Sequence, residues 1–510
     1  MTQNTNQLPE HPQSYWRSST KLPSFPTLEG DLVVDVAIVG GGITGITTAY
    51  LLTKAGLKVA LIEADKLLNG TTGHTTAKIT SQHDLIYDEL LHHIGQEKAK
   101  QYYDVNEEAI AFIKKTIEEH SISCDFTEQD AYLYATTNQG EGKLEKEFEA
   151  YQKIGIHGQF VDKIPLNIET KAALKIGKQA QFHPLEYVSH FIKYVTDNGG
   201  QIFENTVAVD IEVDGKTTVM TKNQHRVYAD KVVVATHFPF FDGGGLYFSK
   251  LHAERSYVIA GFIDEAFPEG MYLSADDPKR SLRYTKMGDK QLILLGGEKH
   301  KTGQGMDTLY HYEALLDFGK DIFGGFDTQF RWSAQDLITL DKLPYIGHLT
   351  KNKPSIFIAT GYRKWGMTNG TAAAQIIAKQ ITEQYHPAES LFTPSRFIAD
   401  PSIKHFLSEN LDVAKHLIQG KTEHDYKKID ELGKDEGAVV AVKGKRTGAY
   451  KDHDGQLHLI DTTCTHMGCE LNWNHGDRTW DCPCHGSRFS YRGDVMEGPA
   501  KEPLKQVERS

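Results

Sequence analysis

The spacing of apolar residues along this chain changes several times, and each change marks an element. Leu32–Val39 is an unbroken, β-branched apolar run, which predicts a buried strand. A helix-length stretch follows to Lys54, Gly56 is placed to stop it, and 57–62 repeats the strand pattern. Residues 84–120 place Leu85, Ile86, Leu90, Leu91 and Ile94 near helical spacing. Residues 125–181 alternate, 191–198 predicts a helix, and 202–219 and 225–234 predict strands. Residues 403–418 predict an amphipathic helix. Beyond Gly437 the expectation is short strands at 438–442, 447–451 and 457–461, with the hairpin dipeptide Asp454-Gly455 between the last two.

Composition narrows the class. With 510 residues the chain has room for two or three domains. Apolar content of 39% and a mean hydropathy of -0.45 describe a globular protein, and no run approaches the roughly 18 apolar residues of a membrane span. The start of the chain is polar and lacks a charged-then-apolar leader pattern, so a cytoplasmic location is the default expectation. A net charge of -12 argues against a nucleic-acid partner. Residues 1–30 form an arm with Pro9, Pro12, Pro23 and Pro26, in which Ser14-Tyr15-Trp16-Arg17 is expected to pack on the main body. Five cysteines are too few for a disulfide scaffold. Cys124 stands apart and is expected to be a buried thiol.

Two stretches carry chemistry. Gly40-Gly41-Gly42-Ile43-Thr44-Gly45 is G-x-G-x-x-G set between a strand and a helix. Glu63, at the end of the next strand, lies about where a ribose-binding carboxylate belongs. The glycines allow close backbone approach, and the helix N-terminus faces a pyrophosphate, so this is a dinucleotide site. The second stretch runs from Cys464 to Ser487: Cys464-Thr465-His466-Met467-Gly468-Cys469, then Cys482-Pro483-Cys484-His485-Gly486-Ser487. Two Cys and two His, arriving as Cys-His pairs, suit a mixed iron–sulfur cluster in which one iron takes thiolates and the other imidazoles. A Cys₂His₂ zinc site is the competing reading, but zinc ligands more often arrive as Cys-Cys and His-His pairs.

These halves resemble the Rieske [2Fe–2S] box, C-x-H-x₂-C followed by C-x-C-H-x-S. The resemblance implies Cys464, His466, Cys482 and His485 as ligands and a disulfide between Cys469 and Cys484. It also implies a hydrogen bond from Ser487 to the cluster, and Gly498-Pro499-Ala500 resembles the loop that covers it. High-potential members carry Tyr two residues beyond that Ser. Here Phe489 stands in its place, so a potential below that of quinol-oxidising Rieske proteins is expected.

Residues 31–390 resemble the D-amino-acid-oxidase-like FAD enzymes, which include glycine oxidase, sarcosine oxidase and dimethylglycine dehydrogenase. The resemblance rests on Asn69-Gly70-Thr71-Thr72-Gly73-His74-Thr75-Thr76 and on the strand Asp230-Lys231-Val232-Val233-Val234-Ala235-Thr236, where His237 replaces the family's Gly. It rests further on Asp341-Lys342-Leu343-Pro344-Tyr345-Ile346-Gly347, and on Ala359-Thr360-Gly361 leading to Gly366-Met367-Thr368. It implies FAD contacts at Gly40, Gly42, Ile43, Thr44, Gly45, Glu63, Thr71, Thr72, His74, Thr75, Val207, Thr236, Gly361, Lys364, Gly366, Met367 and Thr368. Dimethylglycine and sarcosine dehydrogenases carry a flavin-bonded histidine in G-S-T-W-H. Gly70–His74 aligns with it except that Gly73 replaces Trp, and covalent and non-covalent attachment both stay open.

The implied fold class is an α/β FAD-binding Rossmann-like domain with an inserted antiparallel substrate sheet, plus a small all-β Rieske domain. The expected divisions are arm 1–30, oxidoreductase 31–392, linker 393–430 and Rieske domain 431–510. Arg255, Tyr257, Arg283, Tyr284, Arg331, Trp332 and Lys364 are candidates to line a substrate pocket, where an Arg would clamp a carboxylate; no catalytic residue is assigned. The expected activity is dehydrogenation of a small amine or amino acid, with electrons passing from FAD through the cluster to an external carrier. The alternatives are flow from an external donor through the cluster to the flavin, and a Rieske domain that only senses or docks.

Overall fold

The computed structural model describes residues 8–419 and 426–508. Residues 1–7 of the predicted arm, 420–425 of the predicted linker and 509–510 lie outside these.

Leu32–Val39 lies inside an eight-stranded sheet, parallel to Val59–Ile62 on one side and Arg226–Val234 on the other. Its unbroken apolar run follows from burial on both faces. Val36 and Ile38 enter one core, while Ala37 and Val39 enter another on the opposite face. Ile356–Thr360 extends the sheet in parallel beside Arg226–Val234. The C-terminal ends of these strands therefore collect at one edge, where ligands of open α/β sheets bind.

A nine-stranded sheet forms the second layer. Its long strands Leu251–Phe262, Arg280–Met287, Lys290–Lys301 and Asp327–Thr339 are antiparallel, as expected; Met271–Ser274 beside Thr127–Ala135 is a parallel pair within it. The alternation read over 125–181 hides a helix, Asn138–Ile154. Its local signals are clear: Thr137 accepts a hydrogen bond from the Gly140 amide at 3.0 Å, and Gly155 ends the helix at a φ of 81°. The helical region 84–120 is Tyr87–His120, broken by a non-helical Gly95.

The arm packs as expected. Tyr15–Ser19 forms a short helix with Tyr15 and Trp16 buried, and Trp16 Nε1 donates to Thr75 O at 2.7 Å. The predicted amphipathic helix is Ala399–Gln419. Beyond it, Glu436–Val442, Lys445–Lys451 and Leu457–Asp461 form one small antiparallel sheet; Asn472–Asn474, Thr479–Asp481, Arg488–Ser490 and Val495–Glu497 form another. The predicted fold class holds: an α/β domain with an inserted sheet, joined to a small all-β domain. No helix among the described residues is long and apolar enough to cross a membrane.

Candidate functional site

The glycine-rich turn leaves the strand Leu32–Val39 at Gly40, whose φ is +114° and where a Cβ would lie 2.4 Å from Ala235 O. The N-cap residue Gly42 gives the helix Ile43–Lys54 no side-chain cap, so the first-turn amides other than that of Ile43, around Gly42, Thr44 and Gly45, are presented to an anion. Ile43 N donates to Thr72 Oγ1 at 3.1 Å, which ties the turn to the 71–75 segment. Glu63 accepts from Gly41 N at 2.6 Å and from Asp65 N at 3.0 Å. Burial pushes its carboxyl up, against those two amides. Thr206 N donates to Glu63 O at 2.8 Å, which sets Val207 beside the acid.

The remaining segments converge from other elements. His74 Nδ1 is 2.9 Å from Gly70 O, Trp332 Nε1 donates to His74 O at 2.9 Å, and burial pushes the His74 imidazole down. Thr236 Oγ1 donates to Phe238 O at 2.8 Å, and Thr44 Oγ1 lies 3.0 Å from the Tyr362 hydroxyl, next to Gly361. The helix Gly366–Ile381 begins without a side-chain cap; Met367 and Thr368 are buried in its first turn. Lys364 is exposed and pairs with Asp336 at 2.9 Å. Ungated amides at two helix N-termini, a turn that only glycine fits and an oriented carboxylate suit FAD.

The other centre is a pair of loops at the ends of the small strands. Cys464 and Cys482 are free, buried thiols close enough to hydrogen-bond to each other. The rings of His466 and His485 stand 5.0 Å apart at 90°, and His485 Nδ1 is buried without a hydrogen-bond partner. Burial lowers both histidines: His466 with help from Lys501, and His485, down to about 4, with help from His466. Neutral imidazoles and thiols in this arrangement suit a cluster with two sulfur and two nitrogen ligands. Cys469 and Cys484 form a disulfide. The Ser487 hydroxyl bonds to Cys464 and accepts from Ala500 N at 3.0 Å.

The two centres are joined. Gly486 has a φ of +77°, and a Cβ there would lie 2.4 Å from the Cβ of Ala253, so only glycine lets this loop meet the large sheet. Gln335 Nε2 donates to Gly486 O at 3.0 Å, while Gln335 O accepts from Thr71 Oγ1 at 3.3 Å. His485 faces Phe248 with ring centroids 6.2 Å apart. Around this junction Arg255, fully buried, reaches Asp477 at 3.6 Å and Glu497 at 3.3 Å. Arg488 reaches Asp477 at 2.9 Å, Asp481 at 3.1 Å and Glu497 at 2.9 Å. Burial pushes Asp477 and Glu497 up, but Arg488 and Arg255 outweigh it and hold both below the usual carboxylate range.

The pocket candidates thus divide. Arg255 belongs to the junction and not to a pocket. Arg331 donates to Gly476 O at 2.6 Å and to Pro9 O at 2.6 Å, binding the small domain and the arm. Tyr257 bonds to His300 at 2.9 Å, and the Tyr284 hydroxyl accepts from Gln129 at 3.4 Å. Trp332 braces the His74 segment. Arg283 is different: it is buried over the Trp16 ring, and its Nε and Nη1 have no hydrogen-bond partner. Beside it Lys78, pushed down to about 7 by burial and then by Arg283, donates to Tyr272 O at 2.9 Å. Sequence reading missed Lys78, Gln335 and the junction acids. The signal for the acids was Asp481 directly before Cys482 and Arg488 directly after Ser487: charges set inside a box that packs apolar.

The chain belongs to the FAD dependent oxidoreductase family, which matches residues 35–380, and residues 423–508 match the Rieske [2Fe-2S] domain. It is a FAD-dependent oxidoreductase with a fused Rieske domain, and its cofactors are FAD and a Rieske-type [2Fe–2S] cluster. A protein of Bacillus subtilis (strain 168), named as a Rieske 2Fe-2S iron-sulfur protein, YhfW, is 48% identical over 98% of this chain and 98% of its own. The gamma-glutamylputrescine oxidoreductase of Escherichia coli (strain K12) is 24% identical over 73% of this chain and 89% of its own. Glycine oxidase from Geobacillus kaustophilus shares the fold with a TM-score of 0.62 at 17% identity, over 72% of this chain and 100% of that one.

Proposed function

We propose that this protein dehydrogenates a small amine or amino acid bearing a carboxylate, and passes the electrons singly across the domain junction to an external one-electron carrier. FAD bound here supplies hydride acceptance, and the cluster supplies one-electron storage. Arg283 offers two unpaired N–H donor atoms to the substrate carboxylate, and Lys78, pushed down to about 7, adds an amine donor beside them. Burial pushes Arg283 down to about 9, and no carboxylate among the described residues acts on it. Cations buried without an anion are costly, and an anionic ligand offsets that cost. Trp16 lies against Arg283, and Trp332 holds the His74 segment in place.

The observation that carries the relay is Gln335: one residue hydrogen-bonds both to Thr71 of the flavin segment and to Gly486 of the cluster loop. That bridge supports electron transfer over a purely docking role. The gamma-glutamylputrescine oxidoreductase and glycine oxidase likenesses support the amine class. The test is an anaerobic spectral series with N-methyl amino acids, D-amino acids, glycine and polyamines. Flavin bleaching followed by cluster reduction is the expected result. Bleaching beside a cluster that stays oxidised overturns the relay, and no bleaching with any compound favours flow in the opposite direction.

A further inference from the structure

The amphipathic helix Ala399–Gln419 sits on the protein inside out. Its polar residues face the body: Glu409 and Asp412 pair with Lys301 at 2.7 and 3.0 Å, His405 Nδ1 donates to Leu340 O at 2.7 Å, and Asn410 Nδ2 donates to Ser249 O at 3.3 Å. Apolar residues one turn apart face solvent: Ile403, Leu407 and Leu411 are 52%, 56% and 69% exposed. A surface helix ordinarily does the reverse. Val413 and Leu417 are the exceptions and pack on the Rieske core. Ala414 continues the outward stripe, which is ~16 Å long from Ile403 at 1.5 Å per residue. Lys404 and Lys415 are exposed along its edge. Phe406 and Ser408 complete the exposed residues between 403 and 417, so no carboxylate is among them, although the chain carries a net charge of -12. A second copy fits this face poorly. Antiparallel pairing would set Lys404 of one copy beside Lys415 of the other, and parallel pairing would set each lysine beside its like; both repel. An anionic lipid surface fits it: the apolar stripe enters the headgroup–acyl boundary, and the lysine stems lie along it while their ammonium groups reach phosphate.

We propose that the outward face of Ala399–Gln419 is a membrane-docking surface: the helix lies in the plane of an anionic bilayer, with Ile403, Leu407 and Leu411 inserted and Lys404 and Lys415 on lipid phosphates. An excess of acid repels such a surface, so only a face cleared of carboxylates can rest on it. The ion pairs to Lys301 do that clearing, because they turn Glu409 and Asp412 inward. The same helix is tied to the cluster loop. Gln304 Nε2 donates to Asp412 Oδ2 at 2.9 Å and to Pro483 O at 3.1 Å, and Val413 O lies 3.9 Å from Cys484 Sγ. Lipid on the outer face is then about one helix diameter, ~10 Å, from the loop that carries His485. This brings the point where electrons leave the cluster close to the bilayer. That consequence rests on the relay proposed above; the docking itself does not.

The test is co-sedimentation of the full-length holoprotein, without substrate, with vesicles of phosphatidylcholine and phosphatidylglycerol and with vesicles of phosphatidylcholine alone. Wild type is expected to bind the anionic vesicles at low salt and to be released as salt screens the lysines. Leu407→Gln combined with Leu411→Gln is expected to weaken that binding by ~10-fold or more, because two side chains lose their apolar contact with lipid. Lys404→Glu combined with Lys415→Glu should weaken binding to anionic vesicles and leave phosphatidylcholine unaffected. All four positions are exposed, so circular dichroism and melting temperature should match wild type and separate lost docking from lost folding. Wild type that stays in the supernatant with anionic vesicles at low salt overturns the proposal. Binding that is equal in wild type and the double Gln variant also overturns it, since the contact is then on another surface. A wild-type dimer in light scattering that the double Gln variant reduces to monomer, with no vesicle binding, assigns the face to a second copy instead. If vesicles bind but flavin-to-cluster transfer fails, the docking stands and the relay alone falls.

Discussion

Phe489 sits fully buried opposite Trp480, two residues past the Ser487 hydroxyl that bonds to Cys464. A phenyl ring donates nothing, so the cluster sulfurs lack a hydrogen bond that a tyrosine would supply. One net hydrogen bond is worth ~1 kcal/mol, and about 40 mV in a one-electron couple. Phe489→Tyr is expected to raise the cluster potential by that amount in an EPR-followed redox titration; an unchanged potential would show that the hydroxyl finds another partner. Arg283→Met removes the unpaired cation. It is expected to raise the KM for carboxylate-bearing substrates by ~10- to 100-fold, the loss of a charge-assisted hydrogen bond of ~1.5–3 kcal/mol. Amines without a carboxylate should be unaffected. At this scale the grouping of Cys464, His466, Cys482 and His485 was legible, because coordination chemistry dictates residue types at short spacing. Arg255 was only one candidate among several for a pocket, because its partners, Asp477 and Glu497, lie far along the chain, and spacing says nothing about them.

Among elements, the strands Leu32–Val39 and Arg226–Val234 were readable because both faces are buried and the whole run is apolar. The helix Asn138–Ile154 was not, because its buried positions are few (Leu144, Ala150, Tyr151 and Ile154 among them) and charged residues separate them. Its capping residues, Thr137 and Gly155, were the stronger evidence and outweigh the alternation around them. The arm was placed correctly against the body, yet its reach into the site was not visible. Trp16 is fully buried, stacks on Arg283 and braces Thr75. Trp16→Ala should cost ~3–5 kcal/mol of stability by opening a cavity. It should also raise KM along with the fall in melting temperature, since Arg283 loses the face it rests on. A destabilised variant with unchanged KM would separate the arm from the pocket.

For the molecule as a whole, the question is whether the Rieske domain stays docked, and the junction charges answer it. Arg255 and Arg488 share Asp477, Asp481 and Glu497 in a nearly dry setting, with Tyr312 donating to Asp477 at 2.9 Å. Such a network discriminates strongly against any state that leaves one member buried and unpaired. The docked-state pKa values of Asp477 and Glu497 lie below their ordinary values of about 3.9 and 4.3. Arg488 stays with both acids in the Rieske domain, so only the part of this lowering due to Arg255 belongs to docking; that part is complete above the ordinary values and is lost as pH falls through the docked-state values. Small-angle scattering should show a constant, compact particle from neutral pH down to about 4, and expansion only below it, with helical circular dichroism retained at the onset. Arg255→Ala leaves three carboxylates to Arg488 alone and removes ~3–5 kcal/mol from the junction. Shared between Asp477 and Glu497 at ~1.4 kcal/mol per pKa unit, that loss raises each by about one to two units, and the expansion should begin higher by the same amount. The interdomain electron transfer proposed above should fail over the same range, because the Gln335 bridge opens with the junction. An expansion whose midpoint is the same in wild type and Arg255→Ala would mean that apolar packing, not this charge network, holds the cluster against the flavin.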